Sequence, residues 1–292
     1  MARPLTEPER GYARPEALVS TAWLAQRLGA PDIRVVDGSW YLPAMKRDPK
    51  AEFLAGHIPG AVYFDIDEIA DTDSPLPHML PSPEKFAARA KQLGLGDGNR
   101  IVVYDGLGLF SAARVWWMFR VFGHDDVAVL DGGLRKWKAE GRALESGPPR
   151  PRERHFTARV NSLLVRELDD VKRNIETKRE QVIDARSPGR FAGREPEPRQ
   201  GLRGGHIPGS KNIPFGEMTD PATGTLLPAA ALEAKFRAAG IDPAKPIVAS
   251  CGSGVSACAL ALGLHLIGAR EVAVYDGSWT EWAGRPDTPI ET

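Results

Sequence analysis

A cysteine within a loop of small residues is the part of this sequence best suited to chemistry. Cys251 begins the stretch Cys-Gly-Ser-Gly-Val-Ser-Ala, which lies between an apolar run at 246–250 and a second apolar run at 258–267. This pattern is typical of a tight turn between a β-strand and an α-helix. Such a turn directs backbone N–H groups and the positive end of the helix at the sulfur. These surroundings favour a thiolate at neutral pH, so we expect Cys251 to be a nucleophile.

The elements that would position Cys251 come from an internal duplication. Gly-His-Ile-Pro-Gly occurs at residues 56–60 and again at 205–209. Three further pairs of segments match in the same order: 35–37 with 182–184, 101–106 with 247–252, and 131–137 with 276–282. A repeat of this length indicates two similar domains. We predict that residues 17–143 and 156–288 form these domains, joined by a linker at 144–155 that is rich in proline and charge.

Each half alternates short apolar strands with helices. The predicted strands are 33–37, 100–104, 127–130, 181–184, 247–250 and 272–274. The predicted helices are 83–93, 111–122, 134–140, 229–239, 256–267 and 278–283. Ser82 is expected to cap the first helix, with Pro83 in its first turn and Gly94 just beyond its end. This alternation predicts an α/β fold of two tandem domains, each a mainly parallel sheet flanked by helices. Ligands of such sheets bind at the carboxyl ends of the strands, which is where Cys251 stands.

The two halves differ at the nucleophile. Asp105 stands in the first half at the position of Cys251, so only the second half can carry a thiol site. We expect Asp105 to be a turn residue with satisfied hydrogen bonds, and the first domain to form one wall of the cleft. The second cysteine, Cys258, falls in an apolar helix and is expected to pack in the core. A redox partnership between Cys258 and Cys251 is the alternative.

Composition excludes several other classes of protein. The formal net charge of the 292 residues is zero, which gives no basic surface for a nucleic acid. No apolar run reaches about 18 residues, so no membrane helix is expected. The first residues have no apolar signal core and the chain has two cysteines, which together favour the cytoplasm. No Cys or His pair has the spacing of zinc ligands, so we expect neither a metal nor a cofactor. We take a monomer as the default.

A cysteine surrounded by backbone N–H groups suits three kinds of chemistry: carrying sulfur as a persulfide, attacking phosphorus, or sensing oxidants. A cysteine phosphatase needs an arginine that closes the loop and binds the phosphoryl group through two hydrogen bonds. Ala257 and Cys258 stand at the corresponding positions six and seven residues after Cys251, which argues against a phosphatase.

With these motifs the sequence resembles the tandem-domain sulfurtransferases of the rhodanese superfamily, from about residue 19 to residue 286. The resemblance includes the duplication, Ser-Trp-Tyr-Leu-Pro at 39–43, Pro-His-Met-Leu-Pro at 77–81 and the Cys251 loop. Thiosulfate-type members carry Cys-Arg-Lys-Gly-Val-Thr in this loop, and mercaptopyruvate-type members carry Cys-Gly-Ser-Gly-Val-Thr. The present loop is similar to the second type and departs from it only at Ser256, which keeps a hydroxyl.

The resemblance implies transfer of sulfur from 3-mercaptopyruvate through a Cys251 persulfide, with release of pyruvate and without a cofactor. The acceptor would be cyanide, a small thiol or reduced thioredoxin. The resemblance also implies that Arg190 and Arg199 hold the carboxylate and ketone of the donor. The remaining donor-binding residues would be those of the loop: Gly252, Gly254, Val255 and Ser256.

By the same resemblance, Ser253 would work with a histidine and an aspartate in moving a proton. His57 matches the histidine, and Asp48 lies in the region of the acid. Because the Gly-His-Ile-Pro-Gly turn occurs twice, structural hydrogen bonds of His57 and His206 are the alternative. Two alternatives stay open. The first is a thiosulfate:cyanide sulfurtransferase, which the absence of cations at residues 252 and 253 disfavours. The second is a non-catalytic module that binds sulfur or a protein, which the intact thiol loop disfavours.

Overall fold

Two five-stranded parallel sheets form the frame of the protein. The computed structural model describes residues 10–292. The first sheet has the order β1-β5-β4-β2-β3 and the second has the order β6-β10-β9-β7-β8, and all strand pairs are parallel. The strands are β1 (Leu18–Val19), β2 (Ile33–Asp37), β3 (Ala61–Tyr63), β4 (Arg100–Tyr104), β5 (Val127–Leu130), β6 (Val165–Arg166), β7 (Gln181–Asp184), β8 (Lys211–Asn212), β9 (Ile247–Ser250) and β10 (Val272–Tyr275). The equal strand order shows that the sequence duplication is a duplication of the fold.

Ten α-helices connect these strands within the described residues. They are α1 (Thr21–Ala25), α2 (Pro49–Ala55), α3 (Pro83–Gln92), α4 (Ala112–Val121), α5 (Gly133–Ala139), α6 (Leu168–Thr177), α7 (Pro188–Phe191), α8 (Ala229–Ala238), α9 (Ala257–Leu266) and α10 (Ser278–Gly284). The start of α3 confirms the predicted cap, because Ser82 Oγ accepts the Lys85 N–H at 3.2 Å. Gly94 has a φ of +70°, the left-handed conformation that commonly ends a helix. In residues 10–292 no helix is both long and apolar enough to cross a bilayer.

The predicted elements agree with the observed ones where the sequence pattern of the element is long enough to be recognised. Five strands have the predicted bounds: β2, β4, β5, β7 and β9. Four edge strands of two or three residues (β1, β3, β6 and β8) were not predicted, and neither were the helices α1, α2, α6 and α7. Two residues are too few for a periodic pattern. Glu145, inside the predicted linker, still pairs in an antiparallel bridge with His57 of the first domain.

Helices α4 and α9 join the two domains. They pack against each other, and side chains from both domains form one continuous apolar core around them. Nine of the ten residues in each of these helices are buried. A helix that is buried on nearly all sides is mostly apolar all round, which explains why neither shows a polar face although α4 contains Arg114 and Arg120. Cys258 lies in this core, and its Sγ donates a hydrogen bond to the Gly254 carbonyl at 3.2 Å.

Candidate active site

Cys251 lies at the carboxyl end of β9, in a loop that leads into α9. Its side chain is buried, with only 1 % of the residue exposed. The N–H groups of Cys251 and Gly254 both donate to Ser278 Oγ, at 3.2 and 3.1 Å. Gly254 has a φ of +73°, which favours glycine at this point of the turn. The start of α10 therefore fixes the backbone of the thiol loop.

The equivalent loop of the first domain shows what this backbone binds. The Asp105 carboxylate accepts four backbone N–H groups at 2.7 to 2.9 Å, from Leu107, Gly108, Phe110 and Ala112. The loop of the first domain is thus a cradle of N–H groups filled by the protein's own anion. In the described part of the chain, the N–H groups of Ser253 and Ser256 in the second loop donate to no acceptor. The free N–H groups of Ser253 and Ser256 suit a thiolate or a persulfide anion at Cys251.

Arg190 lies beside the thiol loop and is held by a buried carboxylate. Its Nε and Nη2 atoms lie 3.2 and 2.5 Å from Glu197 Oε2. The side chain of Glu197 is 2 % exposed, and its other oxygen accepts Arg186 Nη1 at 2.6 Å. Arg186 is itself paired with Asp184 at 2.7 Å. A Cβ atom placed on Gly252 would be 3.0 Å from Arg190 Nη2, so the guanidinium lies directly against the loop.

Arg199 is a second cation at this site. Its Nη2 lies 3.4 Å from His78 Nε2. No carboxylate among the described residues lies within ion-pair distance of it. Burial lowers the pKa of Arg199, and Arg190 lowers it further, while Cys251 and Asp67 oppose this shift. A partly buried guanidinium with no carboxylate partner favours binding of an anion beside Cys251.

A histidine and an aspartate also meet at this site, and the sequence alone did not assign them. His78 Nδ1 lies 2.6 Å from Asp67 Oδ1, and the other Asp67 oxygen accepts the Trp40 Nε1–H at 2.9 Å. Burial raises the pKa of Asp67, but contacts with His78, Trp40 and Arg199 more than offset this and lower it below its usual range. The ionised carboxylate is therefore suited to orient and charge-stabilise the imidazole.

His78 has an unusual backbone. Its φ is +62°, a left-handed conformation that costs a non-glycine residue about 1 kcal/mol or more. The equivalent residue of the second domain is Gly224, with a φ of +69°. At this position the first domain has a histidine, whereas the second domain has a glycine, which adopts a positive φ without strain. This position was detectable in the sequence only through the Pro-His-Met-Leu-Pro motif, to which no role was given.

Among the described residues, no hydrogen bond or ion pair joins His57 or Asp48 to Cys251, and both side chains have other partners. His57 Nδ1 pairs with the Phe53 carbonyl at 2.7 Å, and its ring stacks on the Phe53 ring at 4.1 Å. Asp48 is exposed and accepts the Ala51 N–H at 2.9 Å as the cap of α2. Within residues 10–292, no hydrogen bond joins either side chain to the other or to Ser253.

The second domain explains why His57 is where it is. His206 pairs with the Phe191 carbonyl at 2.8 Å and stacks on the Phe191 ring at 3.7 Å. Both histidines therefore make the same contacts in their Gly-His-Ile-Pro-Gly turns, which fits a structural role for each. The other expected residues lie together: Ser253, Gly254, Val255 and Ser256 form the loop around Cys251, with Arg190 against Gly252.

Two α/β domains with a single thiol loop define a tandem-domain protein of the rhodanese fold. The Rhodanese-like domain family matches residues 20–140 and 167–285. The chain therefore belongs to the rhodanese family.

Curated relatives and a solved structure support the same assignment. The chain is 48 % identical to thiosulfate/3-mercaptopyruvate sulfurtransferase 1, mitochondrial, of Arabidopsis thaliana, over 100 % of this chain and 84 % of the relative. It is 47 % identical to 3-mercaptopyruvate sulfurtransferase of Homo sapiens, over 94 % of this chain and 95 % of the relative. The crystal structure of the 3-mercaptopyruvate sulfotransferase SseA from Escherichia coli matches with a TM-score of 0.83 and 40 % identity, over 90 % of this chain and 98 % of that chain.

Proposed function

We propose that this chain is a 3-mercaptopyruvate sulfurtransferase. Residues 156–288 would form the catalytic domain and residues 17–143 the domain without a nucleophile. The observation that carries the proposal is Arg199, a partly buried cation without a carboxylate partner beside the thiol loop. Mercaptopyruvate supplies the missing anion at a distance from its sulfur, because its carboxylate is separated from the thiol by a ketone and a methylene group.

The two arginines would divide the donor between them. Glu197 occupies Nε and Nη2 of Arg190, so the donor contacts of Arg190 are limited to the remaining part of its guanidinium. No carboxylate of the described chain pairs with the guanidinium of Arg199. Its N–H groups are therefore suited to bind the carboxylate of the substrate. With the acid group held there, the mercaptan sulfur reaches toward Cys251.

The first half-reaction is a sulfur transfer. The Cys251 thiolate attacks the donor sulfur, and the bond between that sulfur and the methylene carbon breaks. The electron pair of this bond forms the pyruvate enolate, and the proton of the donor thiol is delivered to the enolate carbon. Pyruvate leaves and a Cys251 persulfide anion remains in the cradle of N–H groups.

His78 would carry the proton in this step. It lies beside Arg199 and is paired with Asp67, so it takes the role that the resemblance assigned to His57 and Asp48. Ser253 lies in the loop itself, two residues after Cys251, where its hydroxyl would extend the proton path. His78 has a positive φ, which is strained for a histidine, whereas the equivalent position of the second domain has glycine. The presence of histidine despite this strain supports a chemical role for the imidazole.

The second half-reaction returns the enzyme to its resting thiolate. A nucleophile attacks the outer sulfur of the persulfide, and the bond between the two sulfurs breaks in favour of Cys251. Cyanide would leave as thiocyanate, and a small thiol or reduced thioredoxin would leave as a persulfide. We propose a monomer that acts in the cytoplasm without a cofactor, although one of the similar plant enzymes is named as mitochondrial.

A second candidate function is thiosulfate:cyanide sulfurtransferase. Thiosulfate sulfurtransferase of Bos taurus is 46 % identical over 94 % of both chains, close to the values for the mercaptopyruvate enzymes. Thiosulfate is a compact dianion that would favour cations next to the thiol, whereas Gly252 and Ser253 are neutral. A non-catalytic binding module would have no need of Arg199, His78 and the thiol in one cleft.

Donor kinetics test the proposal. Initial rates with 3-mercaptopyruvate and with thiosulfate would be measured in the wild type, in Arg199→Gln and in the exposed control Arg194→Gln, with cyanide as acceptor. We expect Arg199→Gln to lower kcat/KM about 100-fold for mercaptopyruvate and less than about tenfold for thiosulfate. Arg194→Gln should leave both unchanged. An equal fall for both donors, or turnover of thiosulfate alone by the wild type, would overturn the assignment.

A further inference from the structure

An arginine lies in the apolar core between the two domains. Arg114 is the third residue of α4 and is fully buried, with 0 % exposed. Its neighbours in this helix are apolar, and the equivalent third residue of α9 is Ala259. A buried charge is strongly destabilising unless it is paired, so this arginine requires a specific explanation.

The Arg114 guanidinium joins three segments near the thiol. Its Nη1 donates to Asp276 Oδ1 at 2.5 Å and to the Gly254 carbonyl at 3.2 Å. Its Nη2 donates to the backbone carbonyl of His78. Asp276 also accepts the Leu80 N–H at 2.8 Å, which ties the His78 segment to the end of β10 a second time. One side chain of the first domain thus holds the thiol loop and the histidine segment together.

The geometry leaves little freedom at this point. A Cβ atom on Gly254 would be 3.0 Å from Arg114 Nη1 and 2.7 Å from the Asp276 carbonyl. The Arg114 guanidinium also lies over the Trp117 ring, 4.5 Å from its centre. The planar fork of an arginine fixes two donor directions at once, which a lysine cannot do. Arg114 therefore fixes the position of the thiol loop relative to the His78 backbone.

We infer that Arg114 is a positioning residue that fixes His78 relative to Cys251 across the domain interface. The inference rests on the proposed function, because it gives His78 its role in proton transfer. It also explains how His78 keeps a left-handed backbone, since the carbonyl of that same residue is bound by Arg114. The first domain contributes to the reaction through this contact even though Asp105 replaces its nucleophile.

The test uses the full chain with Arg114→Leu, which replaces the guanidinium by an apolar side chain, and Arg114→Lys, which keeps the charge without the fork. The readout is the single-turnover rate of sulfur loading onto Cys251 from saturating mercaptopyruvate, followed by intact mass and pyruvate release. We expect loading to slow by about 30-fold in Arg114→Leu and about tenfold in Arg114→Lys. The KM should stay within about threefold, because Arg190 and Arg199 are untouched.

The matched control is Arg120→Leu in the same helix. Arg120 also lies over a tryptophan ring, that of Trp116, and its Nε lies 3.5 Å from Asp125, but it contacts none of the three active-site segments. Loading in this variant should stay within about twofold of the wild type even if its melting temperature falls. Slowing equal to that of Arg114→Leu would show a general effect of core damage and would overturn the inference.

A double-mutant cycle separates positioning from stability. In a His78→Gln background, Arg114→Leu should slow loading by less than about threefold, because the group that it positions is already gone. Equal slowing in both backgrounds would overturn the inference.

If Arg114→Leu does not fold, Asp276→Asn takes its place in the same cycle with the same expectation. A wild type that never loads from mercaptopyruvate would instead refute the proposed function, whereas loading at the wild-type rate in folded Arg114 variants would refute only this inference.

Discussion

Asp105 and Cys251 occupy the same position in two equivalent loops, one at the end of β4 and one at the end of β9. The Asp105 carboxylate accepts hydrogen bonds from four backbone N–H groups of its own loop, so the first domain carries a carboxylate where the second carries a thiol. This relationship explains the division of labour between the domains. In the first loop the Asp105 side chain occupies the N–H groups, whereas in the second loop free N–H groups can bind the charge that develops on sulfur.

Removal of the Asp105 carboxylate should destabilise the first domain. Asp105→Ala leaves four N–H groups of a largely buried loop without an acceptor, and each unsatisfied group costs about 1 to 3 kcal/mol. We expect the free energy of unfolding to fall by at least about 3 kcal/mol, measured by urea denaturation. Asp105→Asn keeps the shape and one acceptor oxygen and should lose less. A loss below about 1 kcal/mol in Asp105→Ala would show that the cradle does not need its anion.

Substitution of the histidines should separate chemistry from structure. His78→Gln is expected to lower kcat with mercaptopyruvate about 100-fold, because the imidazole next to Arg199 is lost. His57→Gln should retain most of its kcat while its melting temperature falls, since the His57 ring stacks on Phe53 and binds its carbonyl. His78→Gly, which copies Gly224, should be inactive without loss of stability. The assignment is wrong if His57→Gln is the inactive variant.

Substitution of Gly252 should disturb Arg190 without unfolding the loop. A Cβ on Gly252 would lie 3.0 Å from Arg190 Nη2, and the tip of this side chain can shift. We expect Gly252→Ala to raise the KM for mercaptopyruvate about tenfold with an almost unchanged melting temperature. Gly98→Ala is the control, because nothing lies within 4 Å of a Cβ at that position. An unchanged KM in Gly252→Ala would exclude Arg190 from donor binding.

The pH dependence of stability should reveal a buried carboxyl in the first domain. Burial raises the pKa of Asp37 from 3.8 to about 6, and the nearby Asp105 adds to this, although hydrogen bonds from Ser39 and Tyr104 oppose it. Its folded pKa is above its unfolded pKa, so stability from Asp37 falls as pH rises through this interval. The total loss is about 3 kcal/mol. The twin Asp184 has Arg186 beside it, whereas Asp37 has only Ser39 at that position.

Asp37→Asn should remove this pH dependence. The free energy of unfolding of the variant, relative to the wild type, is expected to rise by about 3 kcal/mol between pH 4 and pH 7. Urea denaturation at several pH values in this interval measures the difference. Asp184→Asn is the matched variant and should lose stability at neutral pH because it breaks the ion pair with Arg186. A constant difference between Asp37→Asn and the wild type would contradict the raised pKa.

Local patterns were sufficient to predict the frame of the molecule and the place of Cys251. The duplication, the strand–helix alternation and the small-residue turn are all properties of neighbouring residues. A motif present in both domains, such as Gly-His-Ile-Pro-Gly, is more readily explained by a turn than by a one-sided active site, which favours the structural alternative for His57. His57 and His206 make matching contacts for this reason.

The residues that were not predicted depend on packing between domains. His78 reaches Arg199 only because the first domain lies against the second, and its left-handed backbone has no signature in a single sequence. Arg114 lies in an otherwise apolar helix, and its partners Gly254 and Asp276 are more than a hundred residues away. Asp67 could not be distinguished from other exposed carboxylates without the position of the His78 ring.

The central claim is that Cys251 takes up sulfur from mercaptopyruvate. The direct measurement is the intact mass of the pure protein after brief exposure to 3-mercaptopyruvate, with thiosulfate in a parallel sample. We expect the wild type and Cys258→Ser to gain one sulfur atom from mercaptopyruvate with release of pyruvate, and Cys251→Ser to gain none. Loading by thiosulfate alone, or sulfur on a protein that lacks Cys251, would contradict the account.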